Sequence, residues 1–120
     1  MELTKSEREI MECLWDAVTP LSRTDLMEKE DKSWKSSSVH ILLNGLLQKD
    51  LIRETGFVRR GKTFARTFEP VLTREQYYVS LIFSYGHKPE FLALFRELLN
   101  RPEITQEHKQ LLLDLLNDPQ

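Results

Sequence analysis

The sequence predicts a mainly helical α+β chain, and three observations carry that reading. Apolar residues recur at helical spacing up to Leu47, the period falls to two between Leu51 and Phe68, and helical spacing returns from Thr73 to the end. Helix, short link, helix, helix and then a two-stranded hairpin is the order of a winged helix-turn-helix domain, expected over residues 1–72. Residues 73–120 form a separate helical region.

The first helix is announced by a capping box. Thr4 can accept a hydrogen bond from the backbone of Glu7 while Glu7 reaches back to Thr4. Ile10, Met11, Leu14, Ala17 and Val18 follow at helical spacing, and Pro20 ends the run. "LSRTDLMEKE" reads as a short extended link and a second helix of about two turns, and "DKSWK" as a polar break. In the third helix Val39, Leu42, Leu43, Leu46 and Leu47 make one apolar stripe, which leaves Ser37, His40, Ile41, Asn44 and Gln48 facing away from the core. Asp50 falls just past its end, where a left-handed residue is commonest. Strands from about Leu51 to Val58 and from Thr63 to Phe68 flank a turn at Gly61, with Ile52, Phe64 and Phe68 expected to point inward. Beyond Pro70, Thr73 with Gln76, Pro89 and Thr105 each mark a helix start, so three amphipathic helices are expected. A segment of this length buries too little surface to stand alone, so it either packs back on the first domain or pairs with a second copy, and pairing is the expected solution.

Composition narrows the function classes. The net charge of −2 hides an uneven distribution: residues 1–33 hold five bases and nine acids, residues 34–66 seven bases and two acids, and residues 67–120 five bases and eight acids. A basic middle between acidic ends is a localised footprint for a polyanion. No apolar run approaches the roughly 18 residues needed to span a bilayer, and charges interrupt residues 1–13, so a cytoplasmic location without a membrane partner is expected. Cys13 is alone and reads as a buried thiol. His40, His87 and His108 lie far apart, no phosphate-binding glycine loop follows a strand, and no catalytic group, metal site or cofactor is expected. His87 and His108 read as surface or helix-end residues.

Nucleic acid is the partner that uses the unusual parts together. Lys35, Ser36, Ser37 and Ser38 crowd the start of the third helix, where small hydroxyl residues let the backbone approach phosphate. His40, Ile41 and Asn44 stand on its outer face, suited to a base edge or phosphate, a thymine methyl, and a base or backbone contact. Arg59, Arg60 and Lys62 at the hairpin tip suit the sugar-phosphate backbone, with Arg53 and Arg66 extending the cationic cluster. A winged-helix module that binds protein instead of DNA is the alternative; salt dependence of duplex binding separates the two.

"WKSSSVHILLNGLLQK" followed by "GFVRRGKTFARTFEPVLTREQY" closely resembles the penicillinase repressor family (BlaI/MecI/CopY), as does the opening "LTKSEREIMECLW". The resemblance continues more weakly through "FLALFRELLNRPEITQEHKQLLLDLL". It implies a homodimeric, sequence-specific transcriptional repressor that binds a palindromic double-stranded operator and controls a resistance, efflux or stress gene. It implies structural roles for Trp34, Val39, Leu42, Leu43 and Leu46, and DNA-facing or bracing roles for Ser38, His40, Ile41 and Asn44. The C-terminal helices of two chains would intertwine, which points to Tyr78, Leu81, Ile82, Phe91, Leu94, Phe95, Leu98, Leu112, Leu115 and Leu116 as dimerisation residues.

Departures from the family pattern are as informative. Members usually carry arginine where this chain has Gly45, lysine at His40, threonine at Ile41 and glycine at Asp50. Gly45 costs about 1 kcal/mol of helix stability relative to alanine, and its missing side chain is expected to leave room near phosphate. Antibiotic-responsive members are cut at an asparagine-phenylalanine bond, but the matching place here holds Glu97 and Leu98; the cysteine cluster of copper-responsive members has no counterpart. A regulatory protease or an effector remains an unidentified further partner.

Overall fold

A computed structural model describes residues 3–29, 34–84 and 90–118, apart from the side chains of Ser36 and Arg60. His87, Pro89 and the middle of the "DKSWK" break lie outside the described residues. The chain divides into two compact units, Met1–Ser84 and Tyr85–Gln120. The first therefore runs past the boundary expected after residue 72.

In the first unit, helix α1 spans Lys5–Asp16 behind the expected capping box: Glu7 N donates to Thr4 Oγ1 at 3.2 Å and Thr4 N donates to Glu7 Oε1 at 3.0 Å. Ile10, Met11, Cys13 and Leu14 are buried. Val18 is not part of this stripe, because the helix stops at Asp16 with an extended Ala17 and Val18 is fully exposed. The link that follows is strand β1, Leu21–Ser22, which pairs with a strand more than forty residues later. Helix α2 is only Arg23–Met27, shorter than expected, and Ser22 caps it through a second reciprocal box with Asp25.

A 3₁₀ turn at Ser36–Ser38 leads into α3, Val39–Gln48. Val39, Leu43 and Leu46 are buried, while Trp34, Leu42 and Leu47 pack against the core from its margin. Asp50 takes the left-handed conformation expected of it, with φ 59. Leu51 N donates to Leu46 O at 3.1 Å and Asp50 N to Leu47 O at 3.0 Å, the paired bonds of a Schellman motif. Asp50→Gly is expected to raise stability by about 0.5 kcal/mol, since removing Cβ strain outweighs the extra freedom of an unfolded glycine. A thermal melt that falls instead of rising would show that the Asp50 side chain has its own stabilising role.

Strands β2, Ile52–Arg60, and β3, Thr63–Pro70, form the antiparallel hairpin, and β1 completes a sheet of order β1-β3-β2. The two-residue loop places Gly61 first at φ 61, a conformation that favours glycine at this position of a tight hairpin. Ile52 and Phe68 point into the core as expected, but Phe64 does not: it is 66 % exposed, because the hairpin projects beyond the helices that could cover it. A bulge interrupts the pairing between Glu54 and Gly56, with Gly56 at φ 155. It shifts the alternation of β2 by one residue. Beyond it Phe57 and Arg59, not Val58 and Arg60, stand opposite Arg66 and Phe64.

Helix α4, Arg74–Ile82, is tied to α1. Trp15 Nε1 donates to Leu72 O at 2.9 Å, Tyr77 is buried beside Trp15, and Arg74 bonds Glu12 and Asp16, each at 2.6 Å, while lying 5.5 Å from the Trp15 ring. These contacts are why α4 belongs to the first unit. In the second unit α5, Phe91–Leu99, is capped by Glu90, and α6, Gln106–Asn117, by Thr105, whose N–H donates to His108 Nδ1 at 3.0 Å. His108 is thus a helix-end residue. Neither helix buries a single residue, although the Phe91 and Phe95 rings meet at 4.8 Å, tilted by 54°.

Candidate nucleic-acid interface

The burial of one stripe of α3 fixes what the other side offers. With Val39, Leu43 and Leu46 inside, His40, Ile41, Asn44 and Gln48 are exposed, and Ile41 keeps 66 % of its surface in solvent. Lys35 and Ser37 are exposed ahead of the helix. Ser38 keeps helical angles and makes no side-chain cap bond, so its hydroxyl is not spent on α3 itself.

His40 and Asn44 share a groove of about 470 Å³ with β3 and α2. Leu43 and Phe68 contribute apolar wall, Thr63 to Arg66 form the hairpin side, and Arg23 and Thr24 form the third side. The outer face of α3 and the inner face of the hairpin therefore line one surface. Arg23 and Thr24 carried no sequence signal for this position, because only the pairing of β1 with β3 brings α2 against the hairpin.

Ion pairing redistributes the cationic surplus of residues 34–66. Arg53 pairs with Glu69 at 2.8 Å, Arg66 with Glu54 at 2.6 Å and Lys49 with Glu7 at 2.8 Å. Arg53 and Arg66 are thus partly neutralised by carboxylates of the same sheet, which corrects the expected five-cation cluster. Among the described residues, Lys35 before α3 and Arg59 and Lys62 at the hairpin tip have no ion pair; Arg59 Nε donates to Gly61 O at 3.1 Å. The charge of residues 34–66 that is unpaired among the described residues therefore lies before α3 and at the hairpin tip. The Arg60 side chain lies outside the described set.

A Cβ at Gly45 would meet Glu7 Oε2 at 3.4 Å, so this position of α3 lies beside α1. Of the expected dimerisation residues, Tyr78, Leu81 and Ile82 lie on α4 in the first unit, where Leu81 packs against the core and the Tyr78 hydroxyl donates to Glu12 Oε2 at 3.4 Å. Phe91, Leu98, Leu115 and Leu116 are exposed on α5 and α6, and Leu94, Phe95 and Leu112 are half-buried. Among the described residues no helix is long and apolar enough to cross a membrane, and no group of three His, Cys, Asp or Glu could hold a metal.

Comparison with known proteins returns one family. Residues 3–118 match the family described as Penicillinase repressor. Among solved structures, the ferric uptake regulator Fur of Helicobacter pylori, described as having three functional metal-binding sites, aligns over 72 % of this chain and 73 % of its own at 20 % identity and a TM-score of 0.42. No curated protein matches.

Proposed function

The chain belongs to the penicillinase repressor family and is a DNA-binding transcriptional regulator, and from that premise we propose a repressor that binds a palindromic operator as a homodimer. The observation that carries the reading is the juxtaposition of the exposed His40, Ile41 and Asn44 with a hairpin tip whose Arg59 and Lys62 have no ion pair among the described residues. In this reading α3 enters the major groove, with Asn44 and His40 toward base edges and Ile41 toward a thymine methyl. Lys35, Ser36, Ser37 and Ser38 approach one phosphate strand, and Arg59, Arg60 and Lys62 hold the backbone beside it.

Pairing of copies is assigned to the second unit, centred on Phe91, Leu94, Phe95, Leu98, Leu112, Leu115 and Leu116. Two short helices that bury nothing of their own cannot offset the entropy of ordering them, so their apolar faces need a partner, and a second copy supplies one of matching shape. The regulated gene is one of resistance, efflux or stress, and the inducing protease or effector is a separate partner.

Salt dependence tests the reading. A dimer making about six phosphate contacts should lose duplex affinity with a log-log slope near −5. Lys62→Ala should make that slope shallower by about 1 on every duplex, whereas Asn44→Ala should change the ranking of duplexes with the slope preserved. Absence of duplex binding at low salt would favour the protein-binding alternative, and equal losses on specific and random DNA would remove the base-reading role from Asn44.

A further inference from the structure

Two large aromatic side chains on the hairpin are left in solvent. Phe57 is 69 % exposed and Phe64 is 66 % exposed, and neither belongs to the core or its margin. Their placement is set by the bulge. Opposed residues of an antiparallel pair share a face, so the pairs Phe57↔Arg66 and Arg59↔Phe64 put both rings and Arg59 on the face that carries the buried Phe68. The two rings are diagonal neighbours there. Without the bulge, strict alternation from Ile52 through Thr55 would present Gly56, Val58 and Arg60 on that face instead. Glycine at φ 155 makes this bulge inexpensive.

The occupant of the face follows from its surroundings. Phe64 lines the same groove as His40 and Asn44, so the aromatic pair continues the surface that α3 presents. Cations border it: Arg59 stands on the same face, Lys62 sits in the turn, and both lack an ion pair among the described residues. The face thus combines two exposed rings with the unpaired Arg59 and Lys62, and its one acid, Glu54, is already paired with Arg66. Such a face is complementary to a polyanion with apolar walls, and double-stranded DNA offers that in the deoxyribose rings and base edges of its minor groove. A second copy of this chain would bring the same cations against each other.

We infer that Phe57 and Phe64 form an apolar contact face by which the hairpin packs into the minor groove beside the half-site read by α3, adding affinity that does not depend on salt. This rests on the DNA-binding reading above. Apolar contacts release no condensed counterions, so their contribution shifts a salt titration without tilting it.

The test uses the full chain and a duplex selected from a random pool by the wild-type protein, titrated across a salt series. Phe57→Ala with Phe64→Ala is expected to lower affinity by about tenfold or more at every salt, in line with loss of two apolar contacts, with an unchanged log-log slope. Phe57→Leu with Phe64→Leu is expected to retain most of the affinity. Lys62→Ala, in parallel, should tilt the line. A double alanine variant with wild-type affinity, or one whose loss comes with a shallower slope, overturns the inference while leaving DNA binding intact; a wild type that selects no duplex overturns both. Thermal melts accompany each variant, and if the double alanine variant does not fold, Phe64→Ala alone carries the same expectation at a smaller loss.

Discussion

Ended after Ser84, the chain is expected to stay folded, to sediment as a monomer and to lose two to four orders of magnitude in affinity for a duplex with two half-sites. Affinity for a single half-site should hardly change. The argument has two parts. The helices removed bury nothing of their own, so the first unit does not need them for its core. If they pair two copies, their loss removes the effective concentration that links the two reading heads. Ending the chain after Thr73 is expected to behave differently. That cut deletes Tyr77, which is 2 % exposed and sits 5.7 Å from Trp15, together with Leu81 and the Arg74 contacts to Glu12 and Asp16. Loss of a buried aromatic alone costs about 3–5 kcal/mol, a large part of the 5–15 kcal/mol that holds a typical domain. The shorter piece should therefore melt far lower, or not fold. Sedimentation, melting and titration against one-site and two-site duplexes read all of this. A dimer from the Ser84 piece, or undiminished two-site affinity, would remove the second unit from pairing.

The difference between the two cuts marks where the sequence stops being legible. Features set by residues three or four apart could be read directly: the Thr4, Thr73 and Thr105 caps, the stripe of α3, the left-handed Asp50 and the turn at Gly61. What could not be read depends on partners far along the chain. Strand β1 is two residues long and exists only because Leu21 and Ser22 meet Phe68 and Thr67. The bulge that puts Phe57 on the face of Phe68 and leaves Val58 on the other is a property of the β2–β3 register, and strict alternation from Ile52 predicts the opposite. Arg74 carries no local signal of its partners, because Glu12 and Asp16 lie 62 and 58 positions away. The candidate interface divides the same way. The outer face of α3 follows from its inner one, but which wing cations are already paired, and that α2 lines the groove, follow only from the fold.

Glu7→Ala is expected to cost about 2 kcal/mol, seen as a melting point lower by roughly 10 °C, with weaker operator binding as a consequence. Glu7 is 6 % exposed, and its carboxylate serves three elements at once. Oε1 accepts from Thr4 N and closes the α1 cap; both oxygens accept from Lys49 Nζ, at 2.8 and 2.9 Å, at the end of α3; and Oε2 occupies the space in front of Gly45. Lys49 remains partly in water, which keeps the cost below that of a fully buried pair. Gly45 lies beside this carboxylate, but a Cβ there would meet it at 3.4 Å, an ordinary contact, so nothing in the structure explains why about 1 kcal/mol of helix propensity is given up at this position. The charge gives the prediction a pH signature. Burial pushes the Glu7 carboxyl up, but the bonds from Lys49 and Thr4 outweigh it and hold the group below its usual value. A carboxyl depressed in the folded state contributes stability that is fully present above its unfolded pKa, about 4.3, and is lost as pH falls through the folded value. Glu7→Gln keeps an acceptor for Thr4 but lacks this increment, so wild type should exceed it by a constant margin at neutral pH and the two should converge in acid. A gap that stays the same from pH 7 to pH 3 would show that the Glu7 charge does not carry the link between α1 and the end of α3.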